Sequence, residues 1–165
     1  MSLGQQVGSD RQLARLLQIG IVLEEVVEAR ASRHYQSLAE EDRTLDDELE
    51  ELLSNAAEES ADHRQRLESL IEGLAADSIP FAEIETLVEA HYGQTKPEDF
   101  DGVLYDQLCN EETAYKFYDD LIEAIEASDA EFSVDRERVL QELRAIREEE
   151  RDGVEEVTTI MEERE

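Results

Sequence analysis

The fold is indicated by EARASRHYQSL, residues 28–38, and by a second segment of the same pattern, EETAYKFYDDL, residues 111–121. Both segments carry Glu, Ala, Tyr and Leu at identical spacing, and they lie 83 residues apart. Steps of three and four residues return to one face of an α-helix. A carboxylate that recurs inside an apolar stripe is costly to bury unless a partner charge, a proton or a metal ion compensates it. The pattern therefore predicts helices whose buried face carries chemistry.

A second repeat, with an offset of 90 residues, connects two further segments. Its first copy consists of Leu49, Leu53, Ala56, Ser60, His63, Leu67 and Leu70. Its second copy consists of Val139, Leu143, Ile146, Glu150, Gly153, Val157 and Ile160. The spacing is again that of a buried helix face. The two repeats together predict four helices arranged in two similar halves.

Apolar periodicity along the chain predicts an all-α protein with one domain over residues 1–165. The four long helices are expected at about residues 9–38, 44–74, 98–127 and 134–161, with Thr44 and Ser133 as N-caps of the second and fourth. Short links join the helices into two antiparallel hairpins. The longer link, residues 75–97, is expected to cross over between the hairpins and to contain a short helix. The predicted fold is a four-helix bundle.

The chain is strongly acidic, with 45 Asp and Glu against 15 Lys and Arg and a net charge of −30. This charge argues against binding to nucleic acid or to an anionic membrane, both of which need cationic contacts. We favour adaptation to a high-salt cytoplasm, because salt screens the self-repulsion of such a chain. The other interpretation is an acidic disordered chain, and the apolar periodicity argues against it.

The cellular context is predicted from absences in the sequence. No secretion signal or membrane span is apparent, so we expect a cytoplasmic protein. The single cysteine, Cys109, excludes an internal disulfide and a CxxC electron-transfer module. Apolar residues on the outer faces, Val22, Val26 and Leu52, indicate a homodimer.

Four core-facing residues are expected to converge at mid-bundle as metal ligands: Glu28, His63, Glu111 and Glu150. Carboxylate oxygens and a neutral imidazole nitrogen suit iron, manganese or zinc. Glu24, one turn before Glu28 on the same face, is a substitute ligand. Without a cation, the carboxylates would repel one another and their pKa values would rise.

The other interpretation of these residues is a metal-free buried polar network. In either case Tyr35, Ser60 and Tyr118 are expected to hydrogen-bond to the carboxylates. Glu59 is expected to point to the flank of its helix. Glu148 and Glu149 are expected on a solvated face.

The motif Glu-x-x-Ala-x-x-aromatic-Tyr resembles two helices of the rubrerythrin branch of the ferritin-like superfamily. It occurs at Glu28, Ala31, His34 and Tyr35 and again at Glu111, Ala114, Phe117 and Tyr118. The resemblance covers nearly the whole chain and implies a ferritin-like bundle with a dinuclear iron or manganese centre.

By this resemblance, Glu28 and Glu111 are terminal ligands, Glu150 is a bridging ligand and His63 is a terminal imidazole. The chain departs from the family at Ser60, where the family has a bridging Glu. It departs again at Gly153, where the family has a His. Four of the six family ligands remain, so a single ion is expected.

Two functions follow as expectations. The first is a ferritin-like protein that binds iron, manganese or zinc, in metal handling or oxidative-stress chemistry. An enzyme of this kind would be a non-haem iron oxidoreductase of rubrerythrin or ferroxidase type, with an external electron donor. The alternative is a metal-free degenerate bundle without a cofactor that acts as a binding or dimerisation module.

Overall fold

The computed structural model describes residues 7–40, 47–74 and 100–163, apart from the side chains of residues 32–40, 100–103, 105 and 106. It contains four helices: α1 Asp10–Glu40, α2 Asp47–Glu72, α3 Phe100–Ala127 and α4 Arg136–Glu163. No strand occurs in these ranges. The predicted all-α architecture is confirmed, and the helix ends lie within three residues of the predicted ones. Thr44 and the predicted crossover with its short helix fall outside the described residues.

The four helices pack as neighbours around a square. α1 packs against α2, α3 packs against α4, and the two hairpins meet through α1 with α3 and α2 with α4. Cross-helix contacts fix the directions: Arg30 bonds to Asn110, whereas Glu24, earlier in α1, bonds to Tyr118, later in α3. α1 and α3 are therefore antiparallel. Because each hairpin is also antiparallel, α2 and α3 run in the same direction on a diagonal.

The bundle core consists of two apolar clusters. The larger cluster contains Leu13, Leu17, Ile21, Leu67, Leu121, Ile125, Leu143 and Ile146. The smaller cluster contains Ala31, Leu49, Leu53, Ala56, Leu104, Val157 and Ile160. Each fully buried large aliphatic side chain contributes about 1.5–3 kcal/mol to folding. Between the clusters lies a buried polar layer with Glu24, Ser60, His63, Glu111 and Glu150.

The offset-90 repeat is confirmed as the buried face of two helices. All seven of its positions on α2 and all seven on α4 are buried. The run of apolar residues is interrupted at the same level in both copies, at Ser60 and His63 on α2 and at Glu150 and Gly153 on α4. The repeat therefore places the polar layer.

The start of α4 differs from the prediction that Ser133 is its N-cap. Asp135, directly before the helix, accepts a hydrogen bond from the backbone N–H of Glu137 at 3.3 Å. Ser133 instead donates its backbone N–H to Asp10 at 3.0 Å, and its hydroxyl also bonds to Asp10. Both residue types cap helices well, and Asp135 acts as the cap because Ser133 ties the α3–α4 loop to α1.

The apolar residues that indicated a homodimer are not exposed. Val22 and Leu52 are buried within the single chain, and Val26 is half-buried. These side chains therefore do not form the outer apolar surface on which the dimer prediction was based.

Hydropathy gives no indication of a membrane-spanning helix in residues 7–40, 47–74 and 100–163.

Candidate metal centre

Three helices bring one buried side chain each to the centre of the polar layer. Glu24 of α1, His63 of α2 and Glu150 of α4 have ligand atoms that all lie within 4.8 Å of one another. We call these three residues the inner site. His63 Nδ1 lies 3.0 Å from Glu150 Oε1 and 3.2 Å from Glu24 Oε1. Glu24 is 1% exposed and His63 is 0% exposed, so the site is closed to solvent.

Glu111 of α3 borders the inner site. Its carboxylate accepts a hydrogen bond from Gln107 Nε2 at 2.9 Å and shares a hydrogen bond with Glu150. Gly153 provides the space for it, because a Cβ at that position would lie 2.6 Å from Glu111 Oε2 and 2.8 Å from Glu111 Cδ. The carboxylate of Glu111 therefore occupies the room that a larger residue at Gly153 would need.

Two of the three predicted hydrogen-bonding residues lie in this layer. The Tyr118 hydroxyl donates to Glu24 Oε1 at 2.5 Å, and Tyr118 is fully buried. Ser60 is buried one turn from His63. The side chain of Tyr35 is outside the described part of the chain.

The structure does not bring Glu28 into the inner site. Glu28 accepts a hydrogen bond from Arg64 NH1 at 2.8 Å, and its side chain is 33% exposed. Arg64 follows His63 on α2, so it emerges at the flank of the bundle and holds Glu28 there. Glu24, which the sequence analysis predicted as a substitute ligand, is the α1 carboxylate that faces His63.

Burial dominates the electrostatics of the carboxylates. It raises the pKa of Glu150 well above its ordinary value, and the charge of Glu24 and the hydrogen bond with Glu111 add to the rise. Burial likewise raises the pKa of Glu111, although its hydrogen bonds with Glu150 and Gln107 lower it in part. Without a cation, the carboxyl groups of Glu111 and Glu150 therefore retain protons at pH values where an exposed Glu is ionised.

Burial has the opposite effect on the pKa of His63, because it disfavours the charged imidazolium. Burial alone lowers the pKa of His63, but the hydrogen bond and charge of Glu24, with the charges of Glu59 and Glu149, outweigh it and raise the pKa. Two atoms at this position are buried without a hydrogen-bond partner, His63 Nε2 and Glu24 Oε2. Unpaired buried polar atoms are uncommon in folded proteins and call for an explanation.

A second pair of carboxylates faces the other edge of His63, and the sequence prediction did not include it. Glu59 Oε1 lies 3.7 Å and Glu149 Oε2 lies 3.6 Å from His63 Nε2. Burial raises the pKa of Glu59 to about 7, and repulsion from Glu111, Glu149 and Glu24 contributes. Glu59 lies at a partly exposed edge of the bundle, with its side chain 30% exposed, and its carboxylate faces His63 there. The i,i+4 spacing of Glu59 and His63 was the available signal, since such residues share a helix face.

In comparisons with protein-family models, with curated proteins and with solved structures, no significant match to this chain is found. The function is therefore argued from the chemistry of the site.

Proposed function

We propose that this chain is a ferritin-like four-helix bundle that binds one divalent metal ion, iron or manganese, at the inner site. Glu24, His63 and Glu150 would be the ligands, with Glu111 beside them. The observation that carries the proposal is the convergence of two carboxylates and one imidazole, from three helices, in a layer closed to solvent. A buried group of this kind needs protons or a cation to offset its charge.

The donor set fits a divalent ion of this class. Carboxylate oxygens and imidazole nitrogen suit iron, manganese and zinc. Two donors on a shared ion, each about 2.1 Å from it, are roughly 3.0–3.4 Å apart. The distances from His63 Nδ1 to the two carboxylates, 3.0 and 3.2 Å, fall in this range. The unpartnered Glu24 Oε2 supplies a further oxygen.

The polar layer favours one ion over two. Ser60 offers no carboxylate, and Gly153 offers no side chain. The space beside Gly153 is filled by the Glu111 carboxylate. A second ion within the layer would have to displace that carboxylate.

The residues of the layer would hold the ion and release protons when it binds. The raised pKa values of Glu111 and Glu150 mean that ion binding has to displace protons from them. The Tyr118 hydroxyl orients Glu24, and Gln107 orients Glu111. Bound iron or manganese supplies one-electron redox chemistry in such a site. Turnover as an oxidoreductase would depend on an external electron donor, since the chain has one cysteine and no Cys-rich segment.

One observation favours the alternative, a metal-free bundle that acts as a binding or dimerisation module. Glu150 hydrogen-bonds with both Glu111 and Glu24, and Gln107 and Tyr118 donate to these two, so the three carboxyl groups are already connected. Protons shared among these groups would then offset their negative charge, as a metal ion would in the first proposal. The two proposals differ in whether metal stabilises the fold.

The deciding experiment measures metal content and metal-dependent stability. The protein is purified without chelator, and we expect about one equivalent of iron or manganese per chain. Metal at about 100 times its Kd should stabilise the fold by roughly 2.7 kcal/mol. Glu24→Gln and His63→Gln should abolish both the metal content and the stabilisation.

Glu28→Gln is the matched control, because it makes the same chemical change one turn away on α1, outside the inner site. It should retain the metal. Loss of metal in Glu28→Gln but not in Glu24→Gln would show that Glu28 is the ligand. A wild-type protein without metal and without a thermal shift on adding Fe(II), Mn(II) or Zn(II) would establish the metal-free alternative.

A further inference from the structure

The imidazole of His63 has carboxylates at both of its edges. Nδ1 faces the inner site, whereas Nε2 faces Glu59 and Glu149, whose side chains are 30% and 37% exposed. We propose that Glu59, Glu149 and His63 Nε2 form a second divalent-cation site, the outer site, which opens to solvent. The outer site goes beyond the proposed function, because it shares only His63 with the inner site.

The distances at Nε2 suit an ion better than a hydrogen bond. The separations of 3.6 and 3.7 Å from the two carboxylate oxygens exceed the length of a normal N–H···O hydrogen bond. Two donors about 2.1 Å from a shared ion can lie at such a separation when they are widely spread around it. Nε2 is fully buried and has no hydrogen-bond partner, and an oxygen of each of the two carboxylates lies within 3.7 Å of it. A bound cation would satisfy it.

The charges around the outer site also favour a cation. Glu59 is repelled by Glu149 beside it and by Glu111 and Glu24 behind it. A divalent ion between Glu59 and Glu149 relieves this repulsion.

Arg66 opposes cation binding at this position. Its NH1 donates to Glu149 Oε2 at 2.6 Å, and the guanidinium also contacts Asp62 and Glu142. Arg66 therefore keeps Glu149 against the helix interface, and its charge weakens the attraction for an ion. Removing this charge should strengthen binding at the outer site.

The two sites cannot both use a neutral imidazole. Neutral imidazole has one nitrogen with a free lone pair, and the other carries a proton. An ion on Nε2 therefore leaves Nδ1–H free to donate to Glu24 or Glu150, an arrangement that commonly orients metal-bound histidine. The outer site is therefore an alternative position for an ion on the same imidazole.

The test reads the two ring nitrogens of His63 separately. The chain has three histidines, so His34→Gln and His91→Gln leave His63 as the only ¹⁵N-histidine signal. Zn(II) is titrated into this protein, into a version with Glu24→Gln and Glu150→Gln, and into a version with Arg66→Gln. Circular dichroism melting verifies that each protein is folded.

We expect Zn(II) to shift Nε2 in the protein whose inner site is disabled. Adding Glu149→Gln should weaken this binding at least about tenfold. Glu148→Gln, which removes the same charge from the exposed neighbouring residue, should not. If the disabled protein does not fold, Arg66→Gln provides the test, since it leaves both core carboxylates in place and should increase the fraction of Zn(II) on Nε2.

The outcomes separate the outer site from the proposed function. Zn(II) on Nδ1 but on Nε2 in none of the folded proteins overturns the outer site and leaves the inner site standing. Zn(II) on Nε2 and never on Nδ1 supports the outer site and contradicts the inner one. Zn(II) on neither nitrogen overturns both.

Discussion

Gly153 lies inside a helix, where glycine normally lowers the stability of the helix. At this position it leaves space for the carboxylate of Glu111. In an exposed helix interior, Gly→Ala stabilises by roughly 1 kcal/mol. Here the added Cβ would lie 2.6 Å from Glu111 Oε2, closer than atoms can approach. We predict that Gly153→Ala destabilises the protein by about 1–2 kcal/mol, because a buried carboxylate has to move away from Gln107 and Glu150. Denaturant unfolding measures the change.

A double-mutant cycle tests the physical reason for this prediction. In a Glu111→Ala protein the obstructing carboxylate is gone, so Gly153→Ala should become stabilising by roughly 0.5–1 kcal/mol through helix propensity. The same destabilisation in both backgrounds would show that Gly153 is required for a reason unrelated to Glu111.

At single positions, the burial of a residue was more predictable from the sequence than the direction of its side chain. The burial of His63, Glu111 and Glu150 was predicted from the repeats and is confirmed. The choice between Glu24 and Glu28 was not predictable, because residues four apart differ by only about 40° around a helix axis. The position of Arg64 on the neighbouring helix decides it, and one helix's periodicity contains no information about that contact.

Helix packing brings Glu59 of α2 within electrostatic range of a carboxylate on each of the three other helices: Glu24 of α1, Glu111 of α3 and Glu149 of α4. The pKa of Glu59 rises from 4.5 to about 7, mainly through burial. Between these values the folded state binds more protons than the unfolded state, so stability falls as pH rises. We predict that the metal-free protein loses on the order of 1 kcal/mol from this group between pH 5 and pH 7.5.

Thermal melts in chelator at several pH values measure this loss. Glu59→Gln should flatten the dependence, and it should melt above the wild type at pH 7.5 because the repulsion is removed. Glu58→Gln, an exposed neighbour with the same change of charge, should keep the wild-type slope. Wild-type and Glu59→Gln curves of equal slope would mean that the helices separate enough to ionise Glu59 without cost.

The helices themselves were predictable because each carries a long apolar period between recognisable breaks. Their ends depend on tertiary contacts that local sequence does not contain. Ser133 and Asp135 are both good caps in isolation, and the choice between them rests on Asp10, more than 120 residues away in the chain. Local propensity therefore located α4, and a loop contact set its first residue.

The arrangement of the whole bundle was predictable in part. Short links predicted the two hairpins, and these are confirmed by the packing of α1 with α2 and of α3 with α4. The faces that pack between hairpins were less predictable, because a residue on an outer face is exposed only if nothing else covers it. Val22 and Leu52 show this, since both are buried within the single chain.

The net charge of −30 is a property of the whole molecule and predicts how its stability depends on salt. The 15 Lys and Arg residues can compensate only a third of the 45 carboxylates. The Debye length falls from about 30 Å at 0.01 M salt to about 3 Å at 1 M, so repulsion across the bundle is screened only in concentrated salt. We predict that the melting temperature rises by at least about 5 °C between 10 mM and 1 M KCl, since 1 kcal/mol corresponds to roughly 2–4 °C for a chain of this size.

Two comparisons separate screening from other effects of salt. Sucrose at matched osmolality stabilises compact states without screening charge, and it should reproduce only a minor part of the shift. Glu148→Gln with Glu156→Gln, two exposed positions on α4, should raise the melting temperature in 10 mM KCl and leave it unchanged in 1 M KCl. Equal melting temperatures in low and high salt would contradict adaptation to a high-salt interior, because the fold would then tolerate its own charge without screening.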